Sequence, residues 1–128
     1  MKARLDTHTF ICWDSEPTRL SPLVLRSCND PETTILLSVA SVWEMQIKLQ
    51  LGKLTLTMPL ADIIRGQQQM KGIEVLPVTL AHVLASYSLP TPHKDPFDRL
   101  LVAQANVEDV VLLSADSIFA QYPVKVLW

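Results

Sequence analysis

Cysteine is scarce in this chain, with only Cys12 and Cys28 among 128 residues. Neither forms a Cys-x-x-Cys pair or stands beside a histidine at zinc-ligand spacing, so a thiolate metal site has no support and both are expected to be ordinary buried thiols. No stretch is long and apolar enough to cross a bilayer, which argues against a membrane-spanning role. The opening residues, MKARLDTHTF, lack the apolar region and small-residue cleavage site of a secretory signal, so the cytoplasm is the expected compartment. A large charge of one sign is also missing. Eleven Lys and Arg face 13 Asp and Glu, a formal charge of −2, which argues against a nucleic-acid binder of the uniformly basic kind. No repeat, low-complexity tract or linker breaks the chain.

What is present is a globular pattern, 48% hydrophobic and 19% charged, at a length suited to a single domain over residues 1–128 with one substantial core. Ala3 and Leu5 alternate with Lys2 and Arg4, which predicts a short strand ending on Asp6, and Asp6 and Thr7 can start the helix that follows. Ser21 before Pro22 predicts a helix to Cys28, stopped at Pro31. The run from Thr33 to Ser38 is a strand candidate, with Ser38 or Ser41 capping a helix through Glu44 to Gly52. A helix after Pro59 runs to Gly72, a strand is expected from Ile73 to Val78, and Thr79 caps a helix to about Tyr87. The loop from Leu89 to Pro96 is dense in prolines, and Asp98 is expected to cap the apolar helix Leu100 to Val107. Val110 to Leu113 reads as a parallel strand covered on both faces, leading through Ser114 and Asp116 into a short helix, and Val124 to Leu127 is the last strand. Strands alternating with helices predict an α/β fold, a three-layer α/β/α sandwich around a mostly parallel sheet.

Asp6, Glu44, Asp98 and Asp116 each fall at a strand's C-terminal end or early in the following helix, the edge where open parallel sheets bind ligands. Four carboxylates converging there repel one another unless a cation neutralises them, and oxygen-only ligation selects Mg²⁺ or Mn²⁺. Such an ion polarises a phosphodiester and lowers the pKa of bound water towards ~7, which points to hydrolytic phosphodiester cleavage. With those four acids on a metal, the remaining nine would stand against 11 basic residues, leaving the rest of the surface mildly basic. Each acid also has a plainer use. Asp at a helix N-terminus is favoured by capping and by the helix dipole, by about 0.5–2 kcal/mol. Glu44, inside an amphipathic helix, is placed to pair with Lys48 at i, i+4.

Four segments carry a family resemblance: Leu5-Asp6-Thr7-His8, the stretch Ser38 to Lys48 that contains Trp43-Glu44, the block His93 to Gln104 that contains Asp95-Pro96-Phe97-Asp98-Arg99, and Leu113-Ser114-Ala115-Asp116. In this order and spacing, across nearly the whole chain, the sequence resembles PIN-domain proteins of the VapC toxin type. The block around Asp98 is specific, and the ordered quartet of acids is more so. The resemblance implies a Mg²⁺- or Mn²⁺-dependent endoribonuclease, the toxin of a toxin–antitoxin pair, acting as a homodimer and silenced by a small antitoxin protein. It implies that Asp6, Glu44, Asp98 and Asp116 hold the metal and are the catalytic acids, with Thr7 and Ser114 supporting them by hydrogen bonds. Asp95, before Pro96, is expected in a supporting rather than a ligating role. Two departures stand out: Ser114 where the family often has Thr, and a first strand less apolar than usual.

Lys94 and Arg99 are candidate phosphate contacts, Arg99 having the alternative of orienting a site carboxylate through an ion pair. His8 and His93 are candidate RNA contacts. Trp13, Trp43 and Trp128 are assigned to packing, and the surplus of apolar residues fits a dimer interface and an antitoxin groove. Two other functions fit the same acids: an aspartate-based phosphatase, which needs a covalent aspartyl-phosphate, and a silent PIN scaffold that holds RNA or protein without turnover. Which RNA is cut is not encoded in any motif.

Overall fold

The computed structural model describes residues 1–90 and 95–128. Its first strand, β1 (Lys2–Leu5), leads into α1 (Thr7–Ser15) and α2 (Pro22–Asn29), and then β2 (Thr34–Ser38) opens directly into α3 (Val39–Gln50). After α4 (Leu60–Lys71) come β3 (Glu74–Leu76), α5 (Leu80–Ala85), α6 (Pro96–Glu108), β4 (Val111–Leu113) and β5 (Val126–Leu127). Short 3-10 turns cover Pro17–Arg19, Ser86–Ser88 and Ser117–Gln121.

Local chemistry explains most of these boundaries. The Ser21 hydroxyl accepts the Val24 N–H at 3.1 Å and Pro22 takes the first helical position of α2. Ser38, not Ser41, caps α3, accepting from the Ala40 N–H at 3.1 Å. Gly72 ends α4 at φ +67°, a left-handed conformation that side chains with a Cβ adopt at a cost. At α5 the Thr79 hydroxyl accepts the His82 N–H at 3.3 Å while the His82 Nδ1 accepts the Thr79 N–H at 3.0 Å. The half of the capping box that a Glu or Gln side chain usually supplies is here filled by an imidazole.

All strand pairs are parallel, in the order β3-β2-β1-β4-β5. Ala3 pairs with Ile35 and Val111, Arg4 with Leu36 and Leu112, and Leu5 with Leu37 and Leu113. Alternate rungs face opposite sides. Ala3, Leu5, Ile35, Leu37 and Leu113 join a core with Phe10, Trp13, Val24, Met45 and Ile63 from α1 to α4. On the other side Leu112 packs with Val102, Phe119 and Tyr122, and Leu36 with Ala105 and Val110. Helices therefore cover both faces, the expected three-layer sandwich. Leu5, Leu37 and Leu113 are fully buried, and each such side chain contributes about 1.5–3 kcal/mol.

The structure departs from the sequence reading at several points in the fold. β1 is the central strand, so Arg4, although it alternates with apolar Ala3 and Leu5, is completely buried. Asp98 does not cap α6: the helix begins at Pro96 and Asp95 is its N-cap. β3 stops at Leu76 rather than Val78, because Pro77 has no N–H for a ladder. β5 is reduced to Val126–Leu127, an edge strand beside a three-residue partner.

Candidate functional site

The strand order reverses between β1 and β4, and two of the four acids leave the sheet there. Asp6 follows Leu5 directly. Its Oδ1 accepts the Thr9 N–H at 2.8 Å, capping α1, and its Oδ2 accepts the Ser114 hydroxyl at 2.5 Å. Capping and site membership coexist because they use different oxygens. Ser114, one residue past β4, also accepts the Asp116 N–H at 3.0 Å, and Asp116 Oδ1 accepts from the Ile118 N–H at 3.0 Å.

Glu44 comes from the second turn of α3, between exposed Trp43 and buried Met45. Its Oε1 accepts the Thr7 hydroxyl at 2.6 Å and its Oε2 pairs with Lys48 Nζ at 3.2 Å. Asp98 comes from the first turn of α6. Asp95 Oδ1 accepts the N–H groups of Phe97 at 2.9 Å and Asp98 at 3.3 Å, so the neighbouring acid does the capping and Asp98 is left off the cap position.

These side chains line one cavity of about 180 Å³, which holds Asp6, Glu44, Asp98 and Asp116 together with Thr7 and Asp95. His8, Lys48 and Leu101 complete its wall. Among the described residues, no three Asp, Glu, His or Cys side chains are already drawn into a metal-binding cluster. Closing on a cation would take side-chain rotation, and the donor set is oxygen throughout, as a hard divalent ion requires. Larger hollows lie elsewhere. One of about 330 Å³ between α3 and α4 is lined by Val39, Val42, Leu60 and Ile64 and contains no carboxylate.

Several candidates for nucleic-acid contact have defined surroundings. Arg99 Nη1 donates to the Pro90 carbonyl at 2.7 Å and Nη2 to the Ser86 carbonyl at 2.6 Å, tying α6 to the turn after α5. His8 is exposed at the cavity, its Nε2 3.6 Å from Cys12 Sγ. Lys94 and His93 lie outside the described residues. Trp43, assigned to packing from sequence, is 62% exposed and meets Phe97 edge to face with centroids 5.3 Å apart. Trp13 is buried beneath Lys71, whose Nζ sits 4.1 Å from the ring centroid.

Sequence reasoning missed Arg4. Its Nη1 donates to Gln104 Oε1 at 2.5 Å, its Nη2 donates to the Leu101 carbonyl, and its Nε has no partner. Burial pulls the guanidinium down to about 9, and the Asp6 carboxylate pulls it back up. It remains a cation at neutral pH. Gln104 Nε2 continues the chain to His82 Nδ1 at 3.3 Å, and His82 Nε2 meets Glu108 Oε2 at 3.1 Å. Since Nδ1 accepts from Thr79, the His82 proton is on Nε2 and donates to Glu108. The only sequence signal was a basic residue inside a strand whose neighbours are aliphatic.

No curated protein matches the chain. Among solved structures it is similar to VapBC2 from Rickettsia felis bound to a DNA fragment from their promoter, with a TM-score of 0.74, 15% identity, and 99% of this chain and 98% of that one covered. It is also similar to VapBC-1 from nontypeable Haemophilus influenzae, with a TM-score of 0.65, 16% identity and coverage of 99% and 97%. FitAcB from Neisseria gonorrhoeae aligns with a TM-score of 0.58, 18% identity and coverage of 98% and 96%. At such identities these likenesses concern the fold. The family description "PIN domain" matches residues 4–125, nearly the full length. With that match, and with the acids gathered where a 3-2-1-4-5 parallel sheet reverses its order, the chain belongs to the PIN-domain family.

Proposed function

We propose that this protein is a Mg²⁺- or Mn²⁺-dependent endoribonuclease, the toxin component of a VapC-type toxin–antitoxin pair. The observation that carries the reading is the cavity at the β1/β4 switch point, lined by Asp6, Glu44, Asp98 and Asp116. Four carboxylates facing one small space favour a divalent cation among them, and these four would hold it. Such an ion, when bound, supplies a water of lowered pKa and charge stabilisation for the departing oxygen of a phosphodiester. The chain's own residues orient the acids: Ser114 fixes Asp6, Thr7 fixes Glu44, and Asp95 builds the helix start that presents Asp98. No nucleophilic side chain is required. RNA is the proposed substrate, with His8, Lys94 and Arg99 as candidate contacts.

Partner assignments belong to the same proposal. A structure with the same fold is described as a toxin–antitoxin complex from Klebsiella pneumoniae, which supports a small antitoxin protein as the natural inhibitor. Exposed apolar side chains such as Leu80, Leu84 and Tyr87 on and just after α5, with the apolar hollow between α3 and α4, provide surfaces for antitoxin and for a homodimer. Among the described residues no helix is long and apolar enough to cross a membrane; the proposed site of action is the cytoplasm.

The test is incubation of purified protein with mixed RNA and Mn²⁺ or Mg²⁺, with EDTA, Asp6→Asn and Asp98→Asn as controls. Metal-dependent cleavage that both substitutions abolish is the expected result. Equal cleavage by wild type and both variants would overturn the proposal, and tight RNA binding without turnover would identify a silent scaffold instead.

A further inference from the structure

Arg4 is the largest polar side chain completely removed from solvent among the described residues. Its neighbours in register on that face of the sheet are Leu36 and Leu112, so an aliphatic residue would fill the position without burying a charge. The hydrogen bonds it makes go to neutral oxygens, on Leu101 and Gln104, and its Nε makes none. Neither acceptor balances the charge. Leu101 also lines the acidic cavity, and Asp6 stands two residues beyond Arg4, just past the end of the strand. The guanidinium thus donates to the backbone of a residue that lines the acidic cavity, and its charge is felt by Asp6.

We propose that Arg4 is the built-in counter-cation of the acidic site, offsetting carboxylate repulsion while the site is metal-free and opposing the divalent ion that enters. The inference rests on the reading of the four acids as a cation site and adds to it a residue that sets how much metal the site needs. The physical reason is screening geometry. Lys48, paired with Glu44, is 44% exposed and its charge is largely answered by water, whereas the charge of Arg4 is shut away from bulk solvent and acts on its neighbours at lower dielectric. A fixed positive charge there relieves like-charge repulsion without filling the cavity. The same charge then competes with Mg²⁺ or Mn²⁺ for the carboxylates.

The experiment is Mn²⁺ titration near pH 7 by calorimetry, together with the Mn²⁺-induced rise in melting temperature, on wild type, Arg4→Met, Arg4→Gln and Gln104→Met. The two neutral variants at position 4 are expected to bind Mn²⁺ about tenfold tighter or more, and to gain more thermal stability from it. Gln104→Met removes a hydrogen bond and keeps the charge, so it should stay near wild type. Unchanged or weaker binding in both Arg4 variants would overturn the proposal, as would an equal gain in Gln104→Met, since hydrogen bonding and not charge would then be the cause. A position-4 variant that folds only with Mn²⁺ present supports it, because the ion has taken over from Arg4; failure of both to fold even in saturating Mn²⁺ overturns it. Absence of saturable Mn²⁺ binding in wild type would overturn the cation site itself and the role of Arg4 with it.

Discussion

The Ser114 hydroxyl donates to Asp6 Oδ2 at 2.5 Å and accepts the Asp116 N–H at 3.0 Å. One side chain thus ties together acids from the two ends of the chain. Ser114→Ala is expected to lower Mn²⁺ affinity by about 10–100-fold, the usual effect of losing a group that orients a ligand. Ser114→Thr keeps the hydroxyl and should bind like wild type. Calorimetric titration of the two variants decides it; equal affinities would show that Asp6 needs no such support.

Asp95 and Asp98 stand three residues apart with separate tasks. Asp95→Ala removes the cap of α6 and should lower stability by about 1 kcal/mol, read as a drop in urea midpoint. Asp98→Asn leaves the cap in place. It should reduce metal-dependent RNA cleavage by more than about 100-fold, beyond the loss of a supporting group, with the smaller effect on stability. A reversed pattern would exchange the roles of the two acids.

The Lys48–Glu44 pair is half-exposed on its lysine side. Lys48→Met should therefore change metal-free stability by no more than about 0.5 kcal/mol, and 1 M salt should shrink the difference further. A larger, salt-insensitive loss would mean that the pair is held away from water.

Burial raises the Cys28 thiol from 9.0 to about 11, with Lys71 pulling the other way. A thiol whose folded pKa lies above its unfolded value keeps its proton longer in the folded state. Stability from this group is complete below pH 9 and is lost as pH rises from about 9 to about 11. Cys28→Ala lacks that loss, so the stability gap between wild type and variant should change across this window and be flat between pH 6 and 8. Denaturant melts at half-unit pH steps measure it. Cys12 is also raised, chiefly by burial, and both thiols should resist alkylation at pH 8 until urea is added.

Much of this protein is settled by local sequence. Ser21, Ser38, Thr79 and Gly72 begin or end helices through contacts within a few residues, so their roles can be read from the chain. Aliphatic runs such as Val110 to Leu113 specify buried parallel strands for the same reason: β-branched and apolar side chains leave them few alternatives. The four acids were named together from strand ends, helix starts and the family motifs, and the structure places all four on one cavity. Tertiary structure decided the rest. Asp95 and Asp98 both had cap chemistry, and only the observed start of α6 at Pro96 assigned the cap. Trp43 is exposed because α3 turns that side outward beside Phe97. Asp6 and Asp116 share a cavity because β4 pairs with β1 across most of the chain length. Arg4 alternates with apolar Ala3 and Leu5, and period two separates the faces of a strand without saying what covers them. Strand order put β1 in the middle of the sheet, laid α6 over it, and buried the arginine against Leu101 and Gln104.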